Sequence, residues 1–291
     1  MRTRFAPSPT GPLHLGHGYS ALLAEGMARA AGGAFLLRIE DIDSTRSRAH
    51  WEAQIYGDLR WLGLRWDEEP MRQSNRLPAY EAALDALWAR ELIYPCQCTR
   101  RDIQAAASAP QEGAEPAYGP DGLVYPGTCR DLLAPGYGTT PRPRGAALRL
   151  NMARALAQIG EDLWFEETGA GPEGETGRIA LSADGLLSHV GDVVLSRRDF
   201  PGSYHLSVVL DDAAQGITHV VRGRDLFEAT AIHVVLQRIL GLETPIYHHH
   251  DLIRDDAGKR LAKRDDARAI AKYREDGATP EDIRRLVGLG G

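Results

Sequence analysis

The segment Arg4-Phe5-Ala6-Pro7-Ser8-Pro9-Thr10-Gly11-Pro12-Leu13-His14-Leu15-Gly16-His17 carries the strongest chemical signal in the chain. A strand runs into a loop braced by proline and glycine, then into a helix whose first turn bears His14 and His17. Gly16 between them lets a ligand approach the backbone. Such a helix start offers N–H groups and a positive dipole end to phosphate, and the imidazoles can donate to charge building on an α-phosphate. Read blandly, the Pro-Ser-Pro-Thr-Gly run is a turn with surface histidines, but fourteen residues in this order point to a nucleotide seat. A second basic stretch, Gly258-Lys259-Arg260-Leu261-Ala262-Lys263-Arg264, would on its own be an ordinary solvated turn. Two other runs are decoys. Gly169-Ala170-Gly171-Pro172-Glu173-Gly174 matches G-x-G-x-x-G but holds a proline and opens no helix, so it reads as a turn. His248-His249-His250 lies on a strand, where neighbours face alternate sides, so packing and hydrogen bonding are favoured over a metal.

The elements that must position these groups follow from periodicity. Thr3–Ala6 and Ala34–Ile39 read as strands and Gly16–Ala31 as a helix. Trp51, Ile55, Leu59 and Leu62 mark a helix that stops at Gly63, and Tyr80, Leu84, Leu87 and Trp88 mark another. This alternation predicts an α/β fold with a parallel sheet covered by helices. Residues 108–145 hold seven prolines and seven glycines, a loop-rich insertion in need of a local staple. Strands return at Ala146–Met152, Asp192–Ser196, Ile217–Val221 and Pro245–His250, with one long helix over Asp225–Leu240. Thr279-Pro280-Glu281-Asp282 is a helix start with a threonine cap. The net charge of −6 restricts any RNA contact to a local patch. No apolar run is long enough to span a bilayer and no signal peptide is visible, so a cytoplasmic protein is expected. Three cysteines in a reducing compartment argue against a disulfide framework and leave metal binding or burial.

The first segment resembles the HIGH-type signature of class I aminoacyl-tRNA synthetases in its glutamyl form. Arg38-Ile39-Glu40-Asp41-Ile42-Asp43 is similar to the glutamyl R-I-E-D-T-D. The stretch from Tyr204-His205-Leu206 through Asp211-Asp212 to Arg222-Gly223-Arg224-Asp225-Leu226 resembles the family's substrate-binding half. This resemblance implies a Rossmann-type catalytic fold and activation of L-glutamate with ATP, magnesium arriving with the nucleotide. Free glutamate has two carboxylates and an ammonium, so its pocket wants two cationic forks and an anion, which Arg4, Arg222 and Glu40 provide. For Glu40 or Arg222 singly, a structural ion pair is the competing reading. The resemblance adds Ser8 and Tyr204 to the pocket. It also places the family's KMSKS loop at the basic stretch, with Ala262 in place of serine and Lys263 as the ATP contact, together with His14, Gly16 and His17.

Cys96-Gln97-Cys98 with Tyr125-Pro126-Gly127-Thr128-Cys129 resembles the zinc site of a shortened glutamyl branch, which implies one structural zinc held by Cys96, Cys98, Cys129 and Tyr125. Tyr118 or water are rivals for the fourth position, and three free buried cysteines are the alternative to any metal. The expected organisation is residues 1–95 as the first half of the catalytic domain, 96–145 as the zinc-binding insertion, 146–266 as the second half, and 267–291 as a short helical tail. Few residues follow the basic loop, so no anticodon-binding domain is expected. That shortening resembles the branch that activates glutamate without tRNA and transfers it to queuosine at the wobble position of tRNA(Asp). The alternatives are a truncated enzyme charging the 3′ end of tRNA(Glu) and a non-catalytic RNA-binding paralogue. Nothing in the sequence calls for an obligate protein partner.

Overall fold

The computed structural model describes residues 1–107, 117–253 and 268–290. The chain begins with β1 (Arg2–Phe5), α1 (Leu15–Ala30), β2 (Ala34–Ile39), α2 (Ala49–Trp61), β3 (Met71–Arg72) and α3 (Leu77–Ala89). Next come β4 (Ile93–Cys96), α4 (Arg100–Ala107), a small hairpin of β5 (Tyr118–Gly119) and β6 (Gly122–Leu123), then β7 (Ala147–Leu150) and α5 (Met152–Ile159). β8 (Leu163–Glu167), β9 (Gly177–Leu181), α6 (Ala183–Gly185) and β10 (Val194–Ser196) lead into α7 (Tyr204–Ala214). β11 (His219–Gly223), α8 (Thr230–Leu240), β12 (Ile246–His250), α9 (Ile270–Glu275) and α10 (Pro280–Leu286) complete it.

β1, β2 and β3 run parallel, as do β11, β12 and β8, with β9 antiparallel on the edge of β8. The two groups meet where β1 lies beside β11: the Thr218 N–H donates to the Arg2 carbonyl at 3.0 Å. A separate antiparallel sheet of β4, β7 and β10 frames the insertion, with Cys96 opposite Ala147.

Both faces of the parallel sheet are covered, which is why β2 reads as a continuous apolar run over residues 34–37, rather than an alternating one, before Arg38. Phe35, Leu37 and Ile39 face the core built by α1, α2 and α10. Leu36 faces the opposite core, with α3, α7 and α8. Phe5 and Val221 belong to the first side, Val220 and Tyr247 to the second. Side chains alternate along a strand. Arg4, Arg38, Arg222 and His249 therefore all project to the side of α7 and α8.

Strand and helix bounds agree with the periodicity to within a few residues, and α2 ends before Gly63, whose φ of +82° suits glycine. The expected long helix over Asp225–Leu240 is broken. A 3-10 turn at Arg224–Leu226 precedes α8 because the Thr230 N–H bonds to the Phe227 carbonyl, while the Leu226 carbonyl accepts from Arg222 instead. The glycine run at 169–174 joins β8 to β9. A Cβ on Gly169 would lie 2.1 Å from the His249 carbonyl, so this glycine serves a close backbone approach.

Candidate active site

The site lies outside the C-terminal ends of β1, β2, β11 and β12, where open α/β sheets place ligands. His14 is the N-cap of α1 and donates its backbone N–H to His17 Nδ1 at 3.2 Å. The two rings stack with centroids 3.7 Å apart. Both sit at the helix start together with Gly16, so the three expected nucleotide contacts share one turn. Ala269 forms a bridge with His14, which returns the chain to this turn. Lys263 and its basic stretch lie outside the described residues.

Under α7 the period-two placement of arginines becomes an ion cluster. Arg4 donates to Asp212 through Nε at 3.0 Å, and Arg38 donates to the same carboxylate at 2.6 Å. Arg38 also reaches Glu40 at 3.1 Å and Gln215 at 3.1 Å. Burial works against the charge of Asp212, but Arg38 and Arg4 outweigh it and hold the carboxyl below its ordinary range. Glu40 shifts the other way. Its burial dominates the attraction of Arg38 and Arg4, so its pKa is raised. The neighbouring Asp211 points elsewhere, accepting from Tyr80 at 2.7 Å, Gln73 at 3.1 Å and Arg76 at 3.2 Å, which ties α7 to α3.

Arg222 is also buried, yet it meets no carboxylate among the described residues. Its acceptors are His249 Nε2 at 3.0 Å, His233 Nδ1 at 3.2 Å, the Leu226 carbonyl at 3.1 Å and Thr230 Oγ1 at 2.7 Å. Tyr204 opens α7 within electrostatic reach of Arg222, Glu40, Arg4 and Asp212, and burial raises its phenol. Ser8 is exposed on the loop, whose Pro7 carbonyl accepts from the Glu40 N–H at 3.0 Å. Arg4, Glu40 and Arg222 thus all lie within electrostatic reach of Tyr204, and the loop that carries Ser8 is tied to Glu40 through Pro7. Arg38, Asp212, His233 and His249 were missed from the sequence. Arg38 and Asp212 stood inside the quoted segments, but both are charges consumed by other charges, a fact invisible without the partner.

A second cluster sits between β4 and the insertion. The ligand atoms of Cys96, Cys98 and Cys129 lie within 4.8 Å of one another. The buried Tyr125 hydroxyl is 3.4 Å from both Cys96 and Cys98 sulfurs and accepts from the Cys129 N–H at 2.9 Å. Burial opposes ionisation of Cys129, but hydrogen bonds led by Tyr125 bring its thiol down to about 7. Three thiols converging without a disulfide could supply three donors of a tetrahedral soft-metal site, with the Tyr125 hydroxyl beside them, although burial and its cysteine contacts oppose ionisation of that phenol. Tyr118, on β5, is 71% exposed.

The fold and these clusters define the class of protein. The family model of tRNA synthetases class I (E and Q), catalytic domain, matches residues 1–121 and 173–291, and the chain belongs to this family. A Rhodobacter capsulatus protein named glutamyl-Q tRNA(Asp) synthetase is 62% identical over 293 residues, 99% of this chain and 100% of the relative. A Nocardia farcinica protein of the same name is 43% identical, covering 98% of this chain and 82% of its own length. Among solved structures, a glutamate tRNA ligase from Elizabethkingia meningosepticum in complex with its amino acid superposes with a TM-score of 0.76 at 28% identity. That likeness covers 99% of this chain and 60% of the other, so the chain spans less than two thirds of the ligase. Among the described residues no helix is long and apolar enough to cross a membrane.

Proposed function

We propose that the chain activates L-glutamate with ATP in the absence of RNA and transfers it to queuosine at the wobble position of tRNA(Asp), in the cytoplasm. The observation that carries the activation half is the charge pattern of the pocket. Arg4 and Arg38 pair with the carboxylates Asp212 and Glu40, while Arg222 pairs with no carboxylate among the described residues, leaving one positive charge for a substrate whose net charge is one negative. Within that sum, Arg222 has charge to offer a carboxylate, and Glu40, with its raised pKa, gains from an incoming ammonium. Ser8 and Tyr204 supply hydroxyls.

The glutamate carboxylate oxygen forms a bond to the α-phosphorus of ATP as the bond to the bridging oxygen breaks, and pyrophosphate leaves with the electron pair. Magnesium arriving with the nucleotide would shield its charge. The α1 N-terminus with His14, Gly16 and His17 receives charge on the α-phosphate, and Lys263 contacts the triphosphate. No protein nucleophile is needed, since the attacking carboxylate is already ionised and alignment carries the rate. In the second step an acceptor hydroxyl bonds to the glutamyl carbonyl carbon, AMP departs, and the hydroxyl proton is released. A cavity of about 710 Å³ that shares Tyr204 with the pocket and is lined by Arg100, Arg149 and Arg197 supports an approach for an anionic acceptor. The acceptor's identity is supported by the names of the relatives. Zinc held by Cys96, Cys98, Cys129 and Tyr125 would cross-link the base of the insertion.

One assay series tests this. Glutamate-dependent ATP–pyrophosphate exchange is measured without RNA, then transfer of labelled glutamate to queuosine-bearing tRNA(Asp), to the same tRNA with guanosine, and to tRNA(Glu). Exchange and labelling of the queuosine tRNA alone are expected. Absence of exchange refutes an enzyme, and labelling of tRNA(Glu) alone refutes the queuosine acceptor.

A further inference from the structure

Arg222 differs from the other two pocket arginines in what holds it. Arg4 and Arg38 share the Asp212 carboxylate, whereas Arg222 is fixed by two imidazoles, a hydroxyl and a carbonyl, all uncharged acceptors. A guanidinium can only donate. The ring nitrogens that face it, His249 Nε2 and His233 Nδ1, therefore carry no proton, and each imidazole keeps its proton on the other nitrogen. His249 Nδ1 then donates to Glu167 Oε2 at 2.5 Å. His233 Nε2 donates to His205 Nδ1 at 3.1 Å, and His205 Nε2 faces Asp121 at 3.4 Å. The direction of the whole chain is thus set by Arg222. Burial, reinforced by the charge of Arg222, pushes His233 well below its ordinary pKa, and burial also lowers His249 against the pull of Glu167. The anions that complete the network stand on the far side of an imidazole. The Tyr247 ring lies 5.2 Å from the guanidinium and adds no formal charge.

We infer that His233 and His249 are positioning residues that orient Arg222 through neutral acceptors and so leave its positive charge uncompensated for a substrate carboxylate. A carboxylate in either place would aim the guanidinium as well but would also occupy its charge, as Asp212 does for Arg4. The inference rests on the reading of Arg222 as a glutamate-binding residue, and it explains why this arginine alone is built on histidines.

The test compares His233→Asn, whose amide oxygen can stand at the Nδ1 position, with His233→Asp, which places a carboxylate there. Exchange kinetics with glutamate, thermal unfolding and zinc content are measured for both. The Asn variant should keep the KM for glutamate within about threefold of the wild type. The Asp variant should raise it by about thirtyfold or more, with kcat at saturating glutamate changed by less than about threefold, the signature of lost uniform binding. Should His233→Asp not fold, His233→Leu replaces it, with a KM rise of about tenfold or more expected from the missing acceptor. Equal KM values for the Asn variant and its partner, or a fall confined to kcat, overturn the inference while the functional reading stands. Absence of exchange in the wild type overturns both.

Discussion

Replacing Asp212 with asparagine removes the shared anion between two buried guanidinium groups. Arg4 at 3.0 Å and Arg38 at 2.6 Å would face an uncharged amide, with all three residues no more than 6% exposed. At an effective dielectric of about 20, each pair contributes roughly 4 kcal/mol of gross attraction. Desolvation offsets much of that in the native protein, and breaking a buried pair by removing one partner costs about 3–5 kcal/mol. Asparagine retains one acceptor oxygen and Arg38 keeps Glu40 and Gln215, so the loss should fall near about 3 kcal/mol. For a chain of this size that corresponds to a Tm lower by roughly 6 °C, read by calorimetry or urea unfolding at pH 7. The pH dependence has a definite sign. Because the folded-state pKa of Asp212 is depressed, its stabilisation is complete above the unfolded value of about 3.9 and is lost as pH falls through the folded value. The gap between wild type and variant should therefore be flat near neutrality and close below about pH 4. A Tm within 2 °C of wild type, or a gap that widens toward acid, would refute the reading of Asp212 as the paired anion.

Further outcomes follow from the same contacts. Glu40→Gln should raise the KM for glutamate by about 10–100-fold, the equivalent of one charge-assisted hydrogen bond, and in the wild type the KM should rise on acidification because the raised pKa of Glu40 protonates it early. Protein purified without chelator should contain one zinc per chain by atomic absorption, and chelation or Cys98→Ser should remove it and lower the Tm by several degrees in scanning calorimetry. Thr279→Ala removes a cap in which Thr279 Oγ1 accepts from the Asp282 N–H at 3.2 Å while the Thr279 N–H donates to the Asp282 carboxylate at 2.8 Å. It should cost about 1 kcal/mol in unfolding titrations and leave exchange unchanged.

The sequence alone determined the local half of this protein. The loop from Pro7 to His14, the helix that carries His17 in its first turn and the capped helix at Thr279 are decided by nearest neighbours, through proline, glycine and capping chemistry, and so were legible. Strand parity was legible too: Arg4 beside Phe5, and Arg38 between Leu37 and Ile39, could each be given a face. Only the tertiary structure decided what those faces meet. Arg4 and Asp212 are 208 residues apart, so their pairing depends on β1 lying beside β11 under α7, and Glu167 and His249, 82 apart, meet because β8 lies beside β12. The three consecutive histidines of β12 show the division well. Alternation favoured hydrogen bonding over a shared metal, but it could not say that His249 would become an acceptor for Arg222. A residue's chemical type is a local property, whereas its protonation and hydrogen-bond direction are imposed by partners that the fold brings across the sheet.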